Sequence, residues 1–496
     1  MIFHCAGINR NNEVNIKFTA RALSDSEQQR VHIESLRILA EVGVKFLGKT
    51  ALPSLKKAGA KVDEASCVAR LPKELVEEAL QNAPRNFTLG ARNPAFDYPL
   101  PSPVTRYCID GTATFALDFH TGERRYGTLR DIENGLRIFQ QLDMGVMAWA
   151  PTAASETPAH SRALHEFFAM MQFSSKHGEH ELHFSNHVPY LIDGLLAVMG
   201  SEDELRRRNA FSLIYCPVAP LIHDGEMLDA YLELGRVGLP VMIMPMPVAG
   251  TTGPASLFAN ICQANAEGLS AITVFQLIHP GRPLIYSNAT GTVDFRNGAY
   301  LGGSPEMGLM AAALTQMGRF YSLPSASAGC TADAKQPGPE AVIEKLITTL
   351  PPVCAGADII IGLGEIESDQ LLVLEQLIVD NEIAHFCDRL VQGVDASPQK
   401  ELFEDIAQTG PGGNFLKLKS TRLAARSDEF FYPLLFDRLT PEKWVQAGKP
   451  TLYTKARAMV AEILAGPVVD PLPDAVCAEL DEILALADRE LIPKAY

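Results

Sequence analysis

The chain is 496 residues long, 47% hydrophobic, and carries a net charge of −16 with its basic residues scattered, so nucleic acid finds no footprint on it. No run of about 18 apolar residues occurs, which argues against a membrane-spanning helix and leaves acidity as a device for solubility. Nine cysteines (Cys5, Cys67, Cys108, Cys216, Cys262, Cys330, Cys354, Cys387, Cys477) form no C-x-x-C pair, and Met1 to Glu13 has no apolar signal core, so a reducing cytoplasm is the expected location.

Length alone suggests about three domains, yet the periodicity favours fewer. Residues 1–95 read as helices: Ser24-Asp25-Ser26-Glu27 is an N-cap cluster before an amphipathic run to about Val42, and Leu71-Pro72-Lys73-Glu74 opens another helix. Residues 104–127 alternate strand residues around Phe119-His120-Thr121-Gly122, a hairpin signal assigned to the bottom or rim of the following body. Strand-like apolar runs then recur at 145–150, 182–188, 210–216, 239–248, 283–288, 321–328 and 358–363, each followed by room for a helix. Alternation of that kind makes a parallel sheet. A closed (β/α)8 barrel of TIM type fits better than an open sheet, because no Gly-x-Gly-x-x-Gly turn opens the first unit and the strands stay equally apolar. A long helix follows at 369–392, and 401–496 is helical, with Thr440-Pro441-Glu442-Lys443-Trp444 a clear helix start. The expected organisation is a helical extension at 1–95, the barrel at 96–400, and a helical extension at 401–496 packed on it.

In such a barrel the reacting groups sit at the carboxyl ends of the strands. The run 145–150 ends at Trp149, and 182–188 carries His183, Asn186 and His187. Tyr286 to Thr290, Ser327 to Thr331, and Gly362 to Glu365 end three further runs. Such polar ends converging on one mouth make a pocket. His160, His165, His177, His180, His183 and His187 are the best metal candidates, since His180-x-x-His183 and His183-x-x-x-His187 share a face of a helix. A strand over 182–188 sends i and i+3 to opposite faces, and no cysteine or carboxylate pair completes a tetrahedral set. No metal site is therefore assigned, and the stretch reads as a hydrophilic loop with one or two pocket histidines. Thr251-Thr252-Gly253-Pro254 supplies a hydroxyl N-cap with proline in the first helical turn, and the same loop could present helix N–H groups to an anion. Gly410-Pro411-Gly412-Gly413 is a tight turn or a backbone approach to a partner.

Several spaced motifs stand in order: Gly250-Thr251-Thr252-Gly253-Pro254, Asn265-Ala266-Glu267, Gln276 with Pro280-Gly281-Arg282-Pro283, Ala332-Asp333-Ala334-Lys335, Glu340 to Glu344, Asp380-Asn381-Glu382 and Gly410-Pro411-Gly412-Gly413. Together they resemble the trimethylamine methyltransferase superfamily over roughly residues 20–425. The resemblance implies a barrel methyltransferase that binds no cofactor itself and passes a methyl group from an amine to the cobalt of a separate corrinoid protein. Two departures stand out. The trimethylamine branch carries pyrrolysine at a strand end near the Ala-Asp-Ala-Lys region, whereas this chain has only standard residues throughout, with Gly329-Cys330-Thr331 nearby, and Asn414 with Lys419-Ser420-Thr421-Arg422 replaces a histidine-bearing run after Gly-Pro-Gly-Gly.

A quaternary ammonium leaves as a neutral amine and needs positioning without covalent capture. The resemblance without pyrrolysine thus implies demethylation of glycine betaine or a related betaine. Such a substrate asks for aromatic faces around its cation, with Trp149, Tyr107, Tyr286 and Phe184 as candidates. His187, Asn186, Asn288 and Arg319 are candidates for its carboxylate end, and Cys330 and Glu365 join the site by their strand-end positions. A trimethylamine-type enzyme, a metal-assisted barrel hydrolase and a non-catalytic betaine-binding protein remain alternatives. A homo-oligomer is expected from the apolar fraction and the helical extensions.

Overall fold

The computed structural model describes residues 18–492; Met1 to Glu13 and Cys5 lie outside the described residues. Eight parallel strands form the centre: β1 (Arg106–Ile109), β2 (Gly145–Ala148), β3 (His177–His180), β4 (Phe211–Tyr215), β5 (Val241–Ile243), β6 (Leu284–Tyr286), β7 (Ala326–Ala328) and β8 (Ile359–Leu363). They pair in the order β6-β5-β4-β3-β2-β1-β8-β7, and a parallel bridge between Tyr286 and Ser325 joins the two ends into a barrel. Eight helices alternate with them: α1 (Leu129–Gln141), α2 (Arg162–Phe173), α3 (Val188–Met199), α4 (Gly225–Leu234), α5 (Leu257–Ile278), α6 (Pro305–Phe320), α7 (Pro339–Ala355) and α8 (Leu374–Gln392). Apart from Arg106 and Val146, which are half-buried, the strand residues are buried, as in a parallel sheet covered on one face by helices and filled on the other.

Two of the eight strands depart from the sequence expectation. The third is His177–His180, not 182–188, which is a loop with a short 3-10 turn at Ser185–His187. All four residues of His-Gly-Glu-His are buried although three are polar, so a search for apolar runs passes over them. The first strand, β1, falls inside the stretch read as a hairpin. Only Phe115–Leu117 and Arg124–Tyr126 form that hairpin, which extends through Leu371–Leu372 to Glu365–Ile366 as a small sheet. Because these segments leave the carboxyl ends of β1 and β8, the sheet roofs the rim, not the bottom.

The amino-terminal segment is mixed where helices were expected. Ser24 caps the helix Asp25–Arg37 through a full capping box with Glu27, and Lys73–Asn82 forms as expected. Between them, short strands at Val44–Phe46, Lys61–Asp63 and Val68–Arg70 pair as a sheet. At the other end, Leu452–Ala465 packs on α8 and α1 and Asp474–Glu490 on α3 and α2. Pro441–Gln446 starts at the Thr440 cap. Gly410 and Gly412 adopt positive φ, which makes Gly410-Pro411-Gly412-Gly413 a tight turn.

The motif residues of α5 are structural. From Asn260 to Gln276 every residue is buried, so each polar side chain must find a partner. Asn265 donates to Ser35 and Tyr321, Glu267 accepts from Leu221 N–H and Gln263, and Gln276 spans the turn to Arg282 and Gly281. The helix begins at Leu257 under a Ser256 cap, so Thr251-Thr252-Gly253-Pro254 is not its cap. Those residues form a separate turn in which Thr252 Oγ1 accepts from Val248 N–H.

Candidate functional site

The mouth of the barrel is acidic, and its carboxyls are buried. Asp110 stands one residue past β1, Glu179 lies on β3, and Glu365 and Asp369 come from the rim sheet after β8. Asp110 and Asp369 meet carboxyl to carboxyl, and burial followed by the Asp110 charge pushes Asp369 well above the usual range. Burial, then Asp110 and Asp369, does the same to Glu365. Burial, then Glu181, raises Glu179 to about 8. Both carboxyl oxygens of Glu179 are enclosed without a hydrogen-bond partner, and those of Glu365 are enclosed with only the Ala113 backbone nearby; none of the four makes a direct ion pair among the described residues, although the Lys345 charge favours ionisation of Asp110, Glu365 and Asp369. Buried charge left unpaired is costly, so such groups hold a proton or meet a cation. They are not grouped as a metal-binding set: among the described residues no three His, Cys, Asp or Glu side chains are arranged to hold a metal ion.

Local backbone brings Asp369 into place at a cost. Glu367, Ser368 and Asp369 take φ of 60°, 57° and 63° in succession, a left-handed run that non-glycine residues avoid. Hydrogen bonds from Glu367 N–H and Ser368 N–H to Ala334 and Ala332 carbonyls hold the run, and Ser368 Oγ donates to Asp333. The Ala-Asp-Ala-Lys motif thus anchors the strained turn.

Two aromatic rings flank the carboxyl pair. Trp149, one residue past β2, is 3% exposed and lies flat on the backbone of Gly111, where an added Cβ would sit 2.1 Å from the indole. Tyr300, on a hairpin of Thr292–Val293 and Tyr300–Leu301, stands among Asp369, Asp333 and Asp110, whose charges add to burial in raising its pKa. Ser287, Asn288 and Thr290, beyond β6, each bury an unpartnered side-chain oxygen.

The sequence-based site is only partly assembled. Trp149, Asn288 and Glu365 lie at carboxyl ends of strands and are buried. Tyr107 and Tyr286 point outward, Tyr107 beside Cys387 of α8 and Tyr286 donating to Asn265 of α5 at 2.8 Å, because alternate residues of a strand face opposite sides. Arg319 is at the far end of the barrel: it ends α6, donates to Gly356 O at 3.2 Å, and lines a 580 Å³ cavity with Ser102 and Gln316. Cys330 is buried just past β7 under the Lys345 ammonium, which its carbonyl accepts. Phe184 and Asn186 are exposed on the loop after β3, and His187 reaches the His160 carbonyl at 2.8 Å. His160 and His165 both contact Asp488, and His177 bridges Gly90 O and Ser212 within the barrel. Asp110, Glu179, Asp369 and Tyr300 were not anticipated. An acid just past a strand is a usable signal for Asp110; the others depend on register and on a fold-back of the rim.

A closed eight-stranded barrel with such a mouth defines an enzyme of the TIM-barrel class. The trimethylamine methyltransferase (MTTB) family model matches residues 8–491, and the chain belongs to that family. It is a methyltransferase of the methylamine and betaine group. It is 31% identical to the trimethylamine methyltransferase MttB2 of Methanosarcina mazei over 492 residues, 98% of each chain. It is 30% identical to the glycine betaine methyltransferase of Desulfitobacterium hafniense over 477 residues, 95% of this chain and 97% of that one. The crystal structure of the hydroxylamine complex of MtmB shares the fold with a TM-score of 0.51 at 11% identity, covering 90% of both chains. Among the described residues no helix is long and apolar enough to cross a membrane.

Proposed function

We propose that the chain demethylates a quaternary amine, glycine betaine or a close relative, and hands the methyl group to a corrinoid carried by a separate protein. The observation that carries this reading is the set of buried carboxyls beside Trp149 and Tyr300: Glu179 has no counter-cation among the described residues, and Glu365 and the Asp110–Asp369 pair share only the field of the Lys345 ammonium, which is already paired with Asp380. An onium ion is large, cannot donate a hydrogen bond, and binds by charge and aromatic faces. Glu365, kept protonated by burial, is an O–H donor for the carboxylate of a zwitterion, whereas the Asp369 proton is shared with Asp110.

The chemistry asks little more of the protein. The acceptor's low-valent cobalt supplies the nucleophile, and the C–N bonding pair stays with nitrogen, which departs as a neutral tertiary amine needing no proton. The chain's residues hold the onium in line and exclude water. A chain of standard residues throughout, with Gly329-Cys330-Thr331 near the Ala-Asp-Ala-Lys motif, agrees with a substrate that needs no covalent capture.

With free cob(I)alamin or a reduced corrinoid protein, glycine betaine should be converted to dimethylglycine while trimethylamine is left untouched. Turnover of trimethylamine alone would overturn the substrate; binding of a betaine without turnover would favour a binding protein. Trp149→Ala should weaken betaine binding by about 1–2 kcal/mol, read by calorimetry. The proposal extends to a cytoplasmic homo-oligomer. Phe403, Leu416, Leu423 and Tyr432 are 71%, 74%, 61% and 63% exposed in one carboxyl-terminal stretch, and an apolar surface of that kind seeks a cover. Light scattering that gives a 54-kDa monomer at micromolar concentration would remove this part.

A further inference from the structure

We propose that His180 and Glu166 form a relay that holds the Trp149 indole beside the carboxyl pair, which makes them positioning residues for the substrate. The inference rests on the reading of Trp149 as part of the onium site. Trp149 follows β2, His180 ends β3, and Glu166 sits on α2, the helix between those strands. All three are at most 5% exposed, so each polar atom must be answered inside the protein.

The hydrogen-bond directions follow from the donor inventory. An indole N–H only donates, and it reaches His180 Nδ1 at 2.9 Å. Nδ1 therefore carries no proton. The ring proton sits on Nε2, which donates to Glu166 Oε2 at 3.2 Å. Glu166 Oε1 accepts the N–H of Ala154 at 2.8 Å, in the loop after Trp149 itself. The carboxylate thus selects the tautomer, and the tautomer gives the indole its acceptor. Phe167 packs edge-on to the imidazole, with centroids 5.7 Å apart, and limits its rotation. Since the indole lies on Gly111, next to Asp110, a turn of the ring is felt at the carboxyl pair.

Glu166→Gln tests the relay without changing its shape. Glutamine Oε1 can keep the Ala154 contact, but its amide then donates toward His180 Nε2. The imidazole can accept only by moving its proton to Nδ1, where it confronts the indole N–H donor to donor. The indole loses its hydrogen bond although no atom has been removed. The expected result is about a tenfold rise in KM for glycine betaine with kcat within about threefold, the scale of one lost buried hydrogen bond.

The chain has two tryptophans, so a Trp444→Phe background leaves Trp149 as the only indole emitter. Its emission should shift in Glu166→Gln. Two further variants separate positioning from folding. In a Trp149→Phe background, which has no N–H to satisfy, Glu166→Gln should leave KM unchanged. Adding His180→Asn to Glu166→Gln gives the indole a carbonyl acceptor at the Nδ1 position and should restore KM. A KM effect that persists in the Trp149→Phe background, or an unshifted emission, overturns the relay. If the parent enzyme turns over no betaine, the substrate reading fails by itself, and the emission shift with its restoration by His180→Asn still supports the relay.

Discussion

Lys345→Met should destabilise the protein by about 3–5 kcal/mol, seen as a lower urea midpoint with an unchanged slope. The Lys345 ammonium and the Asp380 carboxylate are both fully buried and 2.9 Å apart. The ammonium also donates to the carbonyls of Cys330 and Gly362, and Asp380 accepts from Gly364 N–H and Gln376. One pair therefore ties α7 and α8 to the carboxyl ends of β7 and β8, where the rim sheet begins. Removing the cation leaves a buried carboxylate uncompensated, whereas Lys345→Met with Asp380→Leu removes both charges and should recover most of the loss. If the single variant unfolds with the parent, the pair does not hold this end of the barrel.

Glu179→Gln should split activity from stability. An onium about 5 Å from the ionised carboxylate gains about 3 kcal/mol at an effective dielectric constant of 20. With its pKa raised to about 8, first by burial and then by Glu181, the parent must spend about 1.4 kcal/mol of that to ionise Glu179 at pH 7. The variant should lose about tenfold in kcat/KM at pH 7 and about a hundredfold above pH 8. Stability moves the other way. The folded chain keeps a proton on Glu179 that the unfolded chain releases near its ordinary 4.5. That contribution is complete below pH 4.5 and is lost as pH rises through about 8. Thermal melts should show the variant gaining on the parent from pH 5 to 8, by up to about 1.4 kcal/mol per pH unit. An activity loss that does not change with pH removes Glu179 from the site.

The barrel and the family were legible in the sequence because both rest on local signals. Six apolar runs with helix-length spacers correspond to strands, Ser24-Asp25-Ser26-Glu27 caps its helix, and Asn265-Ala266-Glu267 with Pro280-Gly281-Arg282-Pro283 marks the family even though those side chains prove to be scaffolding. Trp149, Asn288 and Glu365 could be placed at the mouth for the same reason, since each directly follows a strand that hydropathy detects. The tertiary structure alone decided the rest. His177–His180 escaped because three of its four buried residues are polar, so hydropathy does not mark it as a strand. Tyr107 and Tyr286 were misplaced because a strand end does not state which face a side chain takes. Asp110, Glu365 and Asp369 meet only once the barrel has closed and the strained turn has folded back over its rim, and Glu179 is buried by the register of its own strand. A carboxyl held away from water is a property of that three-dimensional enclosure, and no residue carries it in the linear chain.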